Sequence, residues 1–169
     1  MDLKDEITAL RERSGATFHD LLTALIATEA DRVEAEAQEL AETFYRESTQ
    51  VRETEPPSRH NRYTVRVQRR AAGVSIRWIL IQFFGPKNDR KRFDKTVPRG
   101  GGAKYPMTSF PQAQSWEQML IRSLEEWFGP LRSRANMLSK IAVLGSNYQQ
   151  IEDKARRDRE ELEASLPEL

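Results

Sequence analysis

Residues 62–84 read RYTVRVQRRAAGVSIRWILIQFF, and this stretch decides the fold of the chain. In its first part, apolar side chains at positions 63, 65 and 67 alternate with polar or basic ones, a period of two that predicts a strand with one buried face. Residues 71–73 are the small residues of a turn. Residues 74–84 form a nearly continuous apolar run, which predicts a second strand in the centre of a sheet. The stretch therefore predicts an antiparallel hairpin.

A third strand is predicted after this hairpin. Residues 85–89, GPKND, are rich in turn-forming residue types. Residues 92–98 follow, with Phe93 and Val97 on one side of an extended chain. Because both connections are short, the simplest topology is a three-stranded antiparallel meander.

Helical patterns precede the sheet. Residues 3–13 predict a short helix, with apolar side chains at helical spacing. Thr17, with Asp20 three residues later, predicts a capping box at the start of a second helix. This helix should be long and cover residues 18–54, since the prolines at positions 56 and 57 cannot continue it.

The long helix carries a narrow apolar stripe. Its members fall mostly at alternating steps of four and three residues, a spacing typical of a helix pair. We expect the stripe to pack either on a C-terminal helix of the same chain, over residues 130–151, or on a second copy in a homodimer formed through residues 26–51. The stripe consists of Ile26, Ala30, Val33, Ala37, Leu40, Phe44 and Val51, with Ser48 as its interruption.

The chain after the sheet is helical again. A helix is predicted from about Gln112, and Gly129 with Pro130 should break it before a further helix begins. We therefore predict an α+β fold, in which a long N-terminal helix and the C-terminal helices pack on a three-stranded antiparallel β-meander. One structural domain would contain a helical arm over residues 1–58, a basic antiparallel sheet over residues 59–110 and C-terminal helices over residues 111–169.

The positive charge of the chain is concentrated in the predicted sheet. Residues 59–104 contain thirteen lysines and arginines against two acidic residues, whereas the whole chain has a net charge of +1. The flanking segments are acidic, with net charges of −8 over residues 1–58 and −2 over residues 105–169. Such a block is typical of a surface that binds a polyanion, most often nucleic acid. The alternative is a protein-interaction module whose basic sheet docks on an acidic partner.

The basic block supplies the candidate DNA-binding residues. Three arginines of the first strand should share one face, about 13 Å apart at four-residue steps, and Gln68 between them can reach base edges. Arg77 and Lys95 should extend this face if the register of the strands permits, and the loop cluster over residues 87–92 suits phosphate contact. The candidates are Arg62, Arg66, Gln68, Arg69, Arg70, Arg77, Lys87, Arg90, Lys91, Arg92, Lys95, Arg99 and Lys104.

The residues of common catalytic and metal sites are missing from the sequence. It has no cysteine, and its two histidines, His19 and His60, have no partner at metal-ligand spacing. No hydrolase, zinc-protease or nucleotide-binding motif is present. We therefore expect a protein that is not an enzyme and that needs no metal or cofactor. Without an apolar run of about 20 residues or a leader-like N-terminus, we also expect a cytoplasmic protein without membrane contact.

A spread of residues between Trp78 and Arg132 is similar to one protein family. The points of likeness are the apolar strand with Trp78, the basic turn, Lys95 to Gly100, Tyr105, Phe110, Trp116–Glu117, Glu125–Glu126, Phe128 and Leu131–Arg132. Over roughly residues 62–145, the pattern resembles the MobI family of conjugative transfer proteins, found on integrating conjugative elements and related plasmids. The resemblance implies an accessory protein that acts at the origin of transfer and helps the relaxase to engage DNA. We expect that DNA to be double-stranded.

Overall fold

The computed structural model describes residues 2–71, 73–86 and 88–165. Within these residues the predicted α+β fold is confirmed, with long helices before and after a three-stranded sheet. In chain order the elements are α1 (Leu3–Ser14), α2 (Phe18–Thr54), a 3-10 turn (Pro57–Arg59), β1 (Tyr63–Arg70), β2 (Gly73–Phe84), β3 (Lys91–Thr96), a second 3-10 turn (Met107–Ser109) and α3 (Ser115–Ser165).

The three strands form one antiparallel sheet in the order β1–β2–β3, which confirms the predicted meander. β1 pairs with residues 73–80 of β2, and β3 pairs with residues 79–84. β1 and β3 therefore flank the same part of β2 only at residues 79 and 80. As a consequence, residues 82–84 and 91–93 form a two-stranded segment that extends past the end of β1 and that we call the hairpin tip.

One face of the sheet packs on the long helices. Tyr63, Val65 and Val67 of β1 lie on this face and are buried, as their alternation predicted. Trp78 of β2 lies at the centre of the core and is fully buried. Its ring packs edge-to-face on Phe44 of α2, with 5.1 Å between the ring centroids, a contact worth about 0.5–1.5 kcal/mol beyond the buried area. Sheet and helices thus share one apolar core.

The apolar stripe of α2 is buried inside the same chain, against the sheet and α3. It differs from the predicted stripe at four positions, because Leu40 and Val51 are half-buried whereas Ala41 and Ser48 are buried. The buried residues advance by an average close to 3.6 residues, the period of a straight helix rather than of a supercoiled pair. The homodimer through residues 26–51 stays a prediction. The buried side chains are Ile26, Ala30, Val33, Ala37, Ala41, Phe44 and Ser48.

The start and the middle of α2 are fixed by polar contacts. The predicted capping box is present, since the Thr17 hydroxyl accepts a hydrogen bond from the Asp20 N–H at 3.1 Å and the Asp20 carboxylate accepts one from the Thr17 N–H at 2.8 Å. Hydrogen bonds from the Thr17 hydroxyl and N–H lower the pKa of Asp20. Farther along, Arg134 of α3 donates to Glu29 at 2.8 Å and to Glu36 at 2.6 Å, and these bonds lower the pKa of both carboxyls. Arg134 therefore clamps α3 to α2.

The helix α3 is continuous over 51 residues, so the predicted break at Gly129 and Pro130 is wrong. Pro130 lies on the exposed side of the helix, whereas its neighbours Phe128 and Leu131 are buried in the core. A proline inside a helix costs about 3 kcal/mol because it removes one hydrogen bond and crowds the preceding turn. Burying one large apolar side chain contributes about 1.5–3 kcal/mol. Tertiary packing on both sides of Pro130 therefore offsets its local cost.

Candidate nucleic-acid interface

The side of the sheet that faces away from the helices carries basic side chains from all three strands. Directly paired residues of antiparallel strands point to the same side, and Arg66 of β1 lies opposite Arg77 of β2. Arg92 of β3 falls on this side as well, because its partner Phe83 is an even number of residues from Arg77. We call this side the outer face. It consists of Thr64, Arg66, Gln68, Arg70, Ser75, Arg77, Ile79, Ile81, Phe83, Arg92, Asp94 and Thr96.

Asp94 holds two arginines of the outer face in place. Its carboxylate accepts a hydrogen bond from the Arg66 guanidinium at 3.1 Å and one from Arg92 at 2.7 Å. Because Arg66 and Asp94 belong to opposite edge strands, their ion pair crosses over Ile79 of the central strand, which is 3% exposed. The Arg66 and Arg92 side chains remain 48% and 51% exposed. The ion pairs therefore position the two guanidinium groups without removing them from solvent.

The outer face has more positive charge than its own acid can neutralise. Arg66 and Arg77 lie directly opposite each other, and like charges at such positions repel. At one end of the face, Arg70 donates to the side-chain carbonyl of Gln68 at 3.2 Å. The four arginines with Asp94 give the face a net charge of +3. An anion placed over this face would relieve the repulsion between its arginines.

Two of the predicted candidates, Arg69 and Lys104, make ion pairs with the helices. The side chain of Arg69 lies on the helix side, where it donates to Asp31 of α2 at 3.0 Å and to the Gly73 carbonyl at 2.9 Å. Lys104 donates to Glu126 of α3 at 2.6 Å. These bonds join the β1–β2 turn and the loop after β3 to the helices.

The register places Lys95 on the opposite side of β3 from the outer face. Lys95 pairs with Leu80, which lies on the side that faces the helices. The expectation that Lys95 extends the face of Arg66 and Arg77 is therefore wrong. Arg92 lies on the outer face instead of Lys95. The two residues are an odd number of positions apart, and side chains at odd spacing on a strand point to opposite sides of the sheet.

The remaining candidates surround the outer face. Arg62 is half-buried just before β1, and Arg90 and Lys91 are exposed at the hairpin tip. Arg99 is exposed in the loop after β3. With Arg77 it lines a groove of about 490 Å³ beside the part of β2 that β3 leaves unpaired. Lys87 lies outside the described residues.

A buried ion pair was missed by the sequence reasoning. Arg132 of α3 donates two hydrogen bonds to the Glu125 carboxylate, both at 2.8 Å, and each side chain is 4% exposed. Glu125 also accepts from the Trp78 indole N–H and from the Tyr105 N–H, both at 2.7 Å. Arg132 in turn donates to the Ile76 carbonyl at 2.9 Å. It thereby satisfies a backbone group on the edge of β2 that β3 does not cover.

Four residues of this buried cluster are among those that carry the family resemblance: Trp78, Tyr105, Glu125 and Arg132. The resemblance therefore marks residues that join the sheet to α3. The signal available in the sequence was the spacing of Glu125 and Arg132, seven residues apart and thus on one side of a helix. Glu117 has a similar role, since it accepts hydrogen bonds from the N–H groups of Arg62, Tyr63 and Gln114 at 2.7, 2.9 and 2.9 Å. Burial raises the pKa of Glu117 despite these bonds.

Within the described ranges, no group of histidine, aspartate and glutamate side chains is arranged to hold a metal ion. None of the helices in the same ranges is long and apolar enough to cross a membrane.

The chain matches a known protein family. A family model described as MobI protein matches residues 33–144, about two thirds of the chain, from the middle of α2 through the sheet to the first part of α3. No curated protein and no solved structure matches the chain. The matched range contains the outer face as well as the buried Glu125–Arg132 pair.

Proposed function

Because this chain belongs to the MobI family, a family associated with mobilisation and conjugative transfer, we propose that it is a DNA-binding accessory protein of that process. In this proposal the protein acts at the origin of transfer, binds double-stranded DNA through the outer face of its sheet and helps the relaxase to engage the DNA. It performs no chemistry itself.

The outer face is the observation that carries the proposal. It presents four arginines from three strands over one aspartate, and the helices cover the other side of the sheet. Guanidinium groups bind phosphates through paired N–H donors, and each neutralised phosphate releases counterions from DNA. Neighbouring strands are about 4.8 Å apart, so arginines on three strands span about 10 Å across the face. This width suits contact with several phosphates of one duplex.

Two outer-face residues are suited to base contacts. Arg70 and Gln68 are exposed and hydrogen-bonded to each other, and both side-chain types pair with base edges in the major groove. Arg90 and Lys91 lie at the hairpin tip and suit phosphate contact, which fixes position rather than sequence.

The test compares the outer-face variant Arg66→Ala/Arg70→Ala with the control Arg122→Ala/Arg159→Ala, which removes the same charge from exposed positions of α3. Binding to a duplex from the transfer origin is measured by fluorescence anisotropy at several salt concentrations. The outer-face variant should bind more weakly, and its salt slope should fall by about 0.9 for each lost phosphate contact. If Arg70 touches a base edge, discrimination against a scrambled duplex should also fall by about 1–3 kcal/mol.

The alternative is that the basic sheet docks on an acidic protein. This alternative takes the place of the proposal if the outer-face variant, folded by circular dichroism, binds the duplex as the wild type does. The relaxase step has its own readout, which is the rate of relaxase nicking at the transfer origin. That rate should rise when the wild type is added, and the outer-face variant should raise it less.

A further inference from the structure

Three phenylalanines are exposed at the two-stranded tip formed by β2 and β3. Phe83, Phe84 and Phe93 are 57%, 58% and 55% exposed. Phe84 and Phe93 lie on one side of the tip, in edge-to-face contact with 6.1 Å between their ring centroids. Phe83 pairs with Arg92 and lies on the other side, the outer face. The tip therefore presents aromatic rings on both sides.

Apart from the contact between Phe84 and Phe93, the described part of the fold leaves these rings more than half exposed. β1 ends before the tip, and every described residue of the sequence 83–96 is exposed. Surface exposure of one large apolar residue is ordinary, but three aromatic rings on one short ribbon form a concentrated apolar patch. The core of the protein does not require them, since they are absent from it.

Basic side chains alternate with these rings across the tip. Phe84 pairs with Lys91 and Phe83 with Arg92, so two of the three rings have a cation directly opposite, while Phe93 pairs with Gln82. Residues 81–96 contain five basic and two acidic residues, a net charge of +3. An apolar protein partner would leave these cations without counter-charges. A nucleic-acid strand with exposed bases supplies both requirements, because each nucleotide has an aromatic face and a phosphate.

We propose that the hairpin tip is a binding site for unpaired nucleotides. Phe84 and Phe93 stack on bases that are out of the double helix, and Arg90 and Lys91 bind the neighbouring phosphates. This inference rests on the proposed function and deepens it. The outer face holds a duplex, and the tip, which continues from the same sheet, holds a strand that is opened beside that duplex.

The test uses full-length protein and two probes, a single-stranded oligothymidine and a blunt duplex. The tip variant is Phe84→Ala/Phe93→Ala. Its control is Trp127→Ala, which removes an aromatic side chain that is 66% exposed on α3. The tip variant should bind oligothymidine about tenfold more weakly than the wild type, because stacking on two rings is lost. Its duplex affinity should stay within about twofold, and Trp127→Ala should bind both probes as the wild type does.

A base-level readout checks for stacking itself. A duplex with a short mismatched bubble carries 2-aminopurine, whose fluorescence changes when it stacks on a ring. The wild type should change this signal, and the tip variant should not. Since the three rings are exposed, circular dichroism should show the tip variant folded like the wild type.

The outcomes separate this inference from the proposed function. If the tip variant binds oligothymidine and alters the 2-aminopurine signal as the wild type does, the tip site is wrong while duplex binding stands. If the wild type binds neither probe, the proposed function fails and the tip site fails with it. If the tip variant keeps oligothymidine binding but loses binding to anionic phospholipid vesicles, the rings contact a lipid surface and the inference is overturned.

Discussion

Arg132 in the core and the arginines of the outer face have the same side chain in opposite environments. Arg132 makes four hydrogen bonds, two to Glu125 and one each to the carbonyls of Ile76 and Ala103. A guanidinium has five N–H donors, so little of its capacity is left for a ligand. The Arg66 side chain, by contrast, makes one hydrogen bond to the described residues and is half exposed. The number of donors that the fold has already used separates an arginine that builds the sheet from one that is left available to a ligand.

The same distinction applies inside the basic block. Arg69 and Arg70 are adjacent in sequence, but Arg69 is bonded to Asp31 and to backbone carbonyls, whereas Arg70 is exposed on the outer face. Net charge over a segment therefore overestimates the number of residues available to a ligand. The comparison can be tested by substitutions on each side of it.

The largest effect is expected at the buried pair. Arg132→Ala leaves the Glu125 carboxylate buried without its cation, which should lower the free energy of unfolding by about 3–5 kcal/mol. Urea denaturation measures this loss. Arg122→Ala, an exposed arginine of the same helix, is the control and should change stability by less than about 0.5 kcal/mol.

Should Arg132→Ala be too unstable to purify, the double variant Arg132→Ala/Glu125→Gln keeps the comparison testable. It leaves no charge buried without a partner, and the new amide oxygen can still accept from the Trp78 indole N–H, so this variant should be more stable than Arg132→Ala. Equal stability of Arg132→Ala and Arg122→Ala would show that burial does not separate the two kinds of arginine.

A smaller effect is expected at Glu117. Glu117→Gln replaces one acceptor oxygen by an NH₂ group beside the backbone donors, which should cost about 1–3 kcal/mol. The pKa of Glu117 is raised by burial above its ordinary value of 4.5. Between 4.5 and the raised pKa the folded state binds more protons than the unfolded state, so wild-type stability falls as pH rises through this window. Glu117→Gln should lack this fall.

Urea denaturation of the wild type and Glu117→Gln from acidic to neutral pH measures both effects. The cost of the substitution should be largest at the acidic end and should decrease as pH rises. Parallel pH profiles for the two proteins would contradict the raised pKa.

The smallest stability effect, with the opposite sign, is expected on the outer face. Arg77→Thr removes the like charge opposite Arg66 and keeps a side chain that favours strands. It should raise the free energy of unfolding by about 0.2–1 kcal/mol and weaken duplex binding. Urea denaturation and anisotropy titration of the same preparation measure the two changes. A variant that loses stability while it keeps DNA affinity would place Arg77 with the structural arginines.

The sequence by itself determined the elements and where the charge lies. Alternation over residues 63–67, the apolar run over residues 74–84 and the capping box at Thr17 depend on neighbours within a few positions. Such local patterns can be read from the chain, and they predicted the meander and the long helix over residues 18–54. The basic block over residues 59–104 is likewise a property of composition.

Only the tertiary structure decided which basic side chains share a face and which are used by the fold. The strand register put Arg92 on the outer face and Lys95 on the other side, and a slip of one residue would exchange them. Pro130 was kept inside α3 by its buried neighbours, against its local preference. The hydrogen bond that the Trp78 indole N–H donates to Glu125 joins residues 47 positions apart. Register, packing and long-range pairing depend on residues that are distant in sequence, so no local pattern reports them.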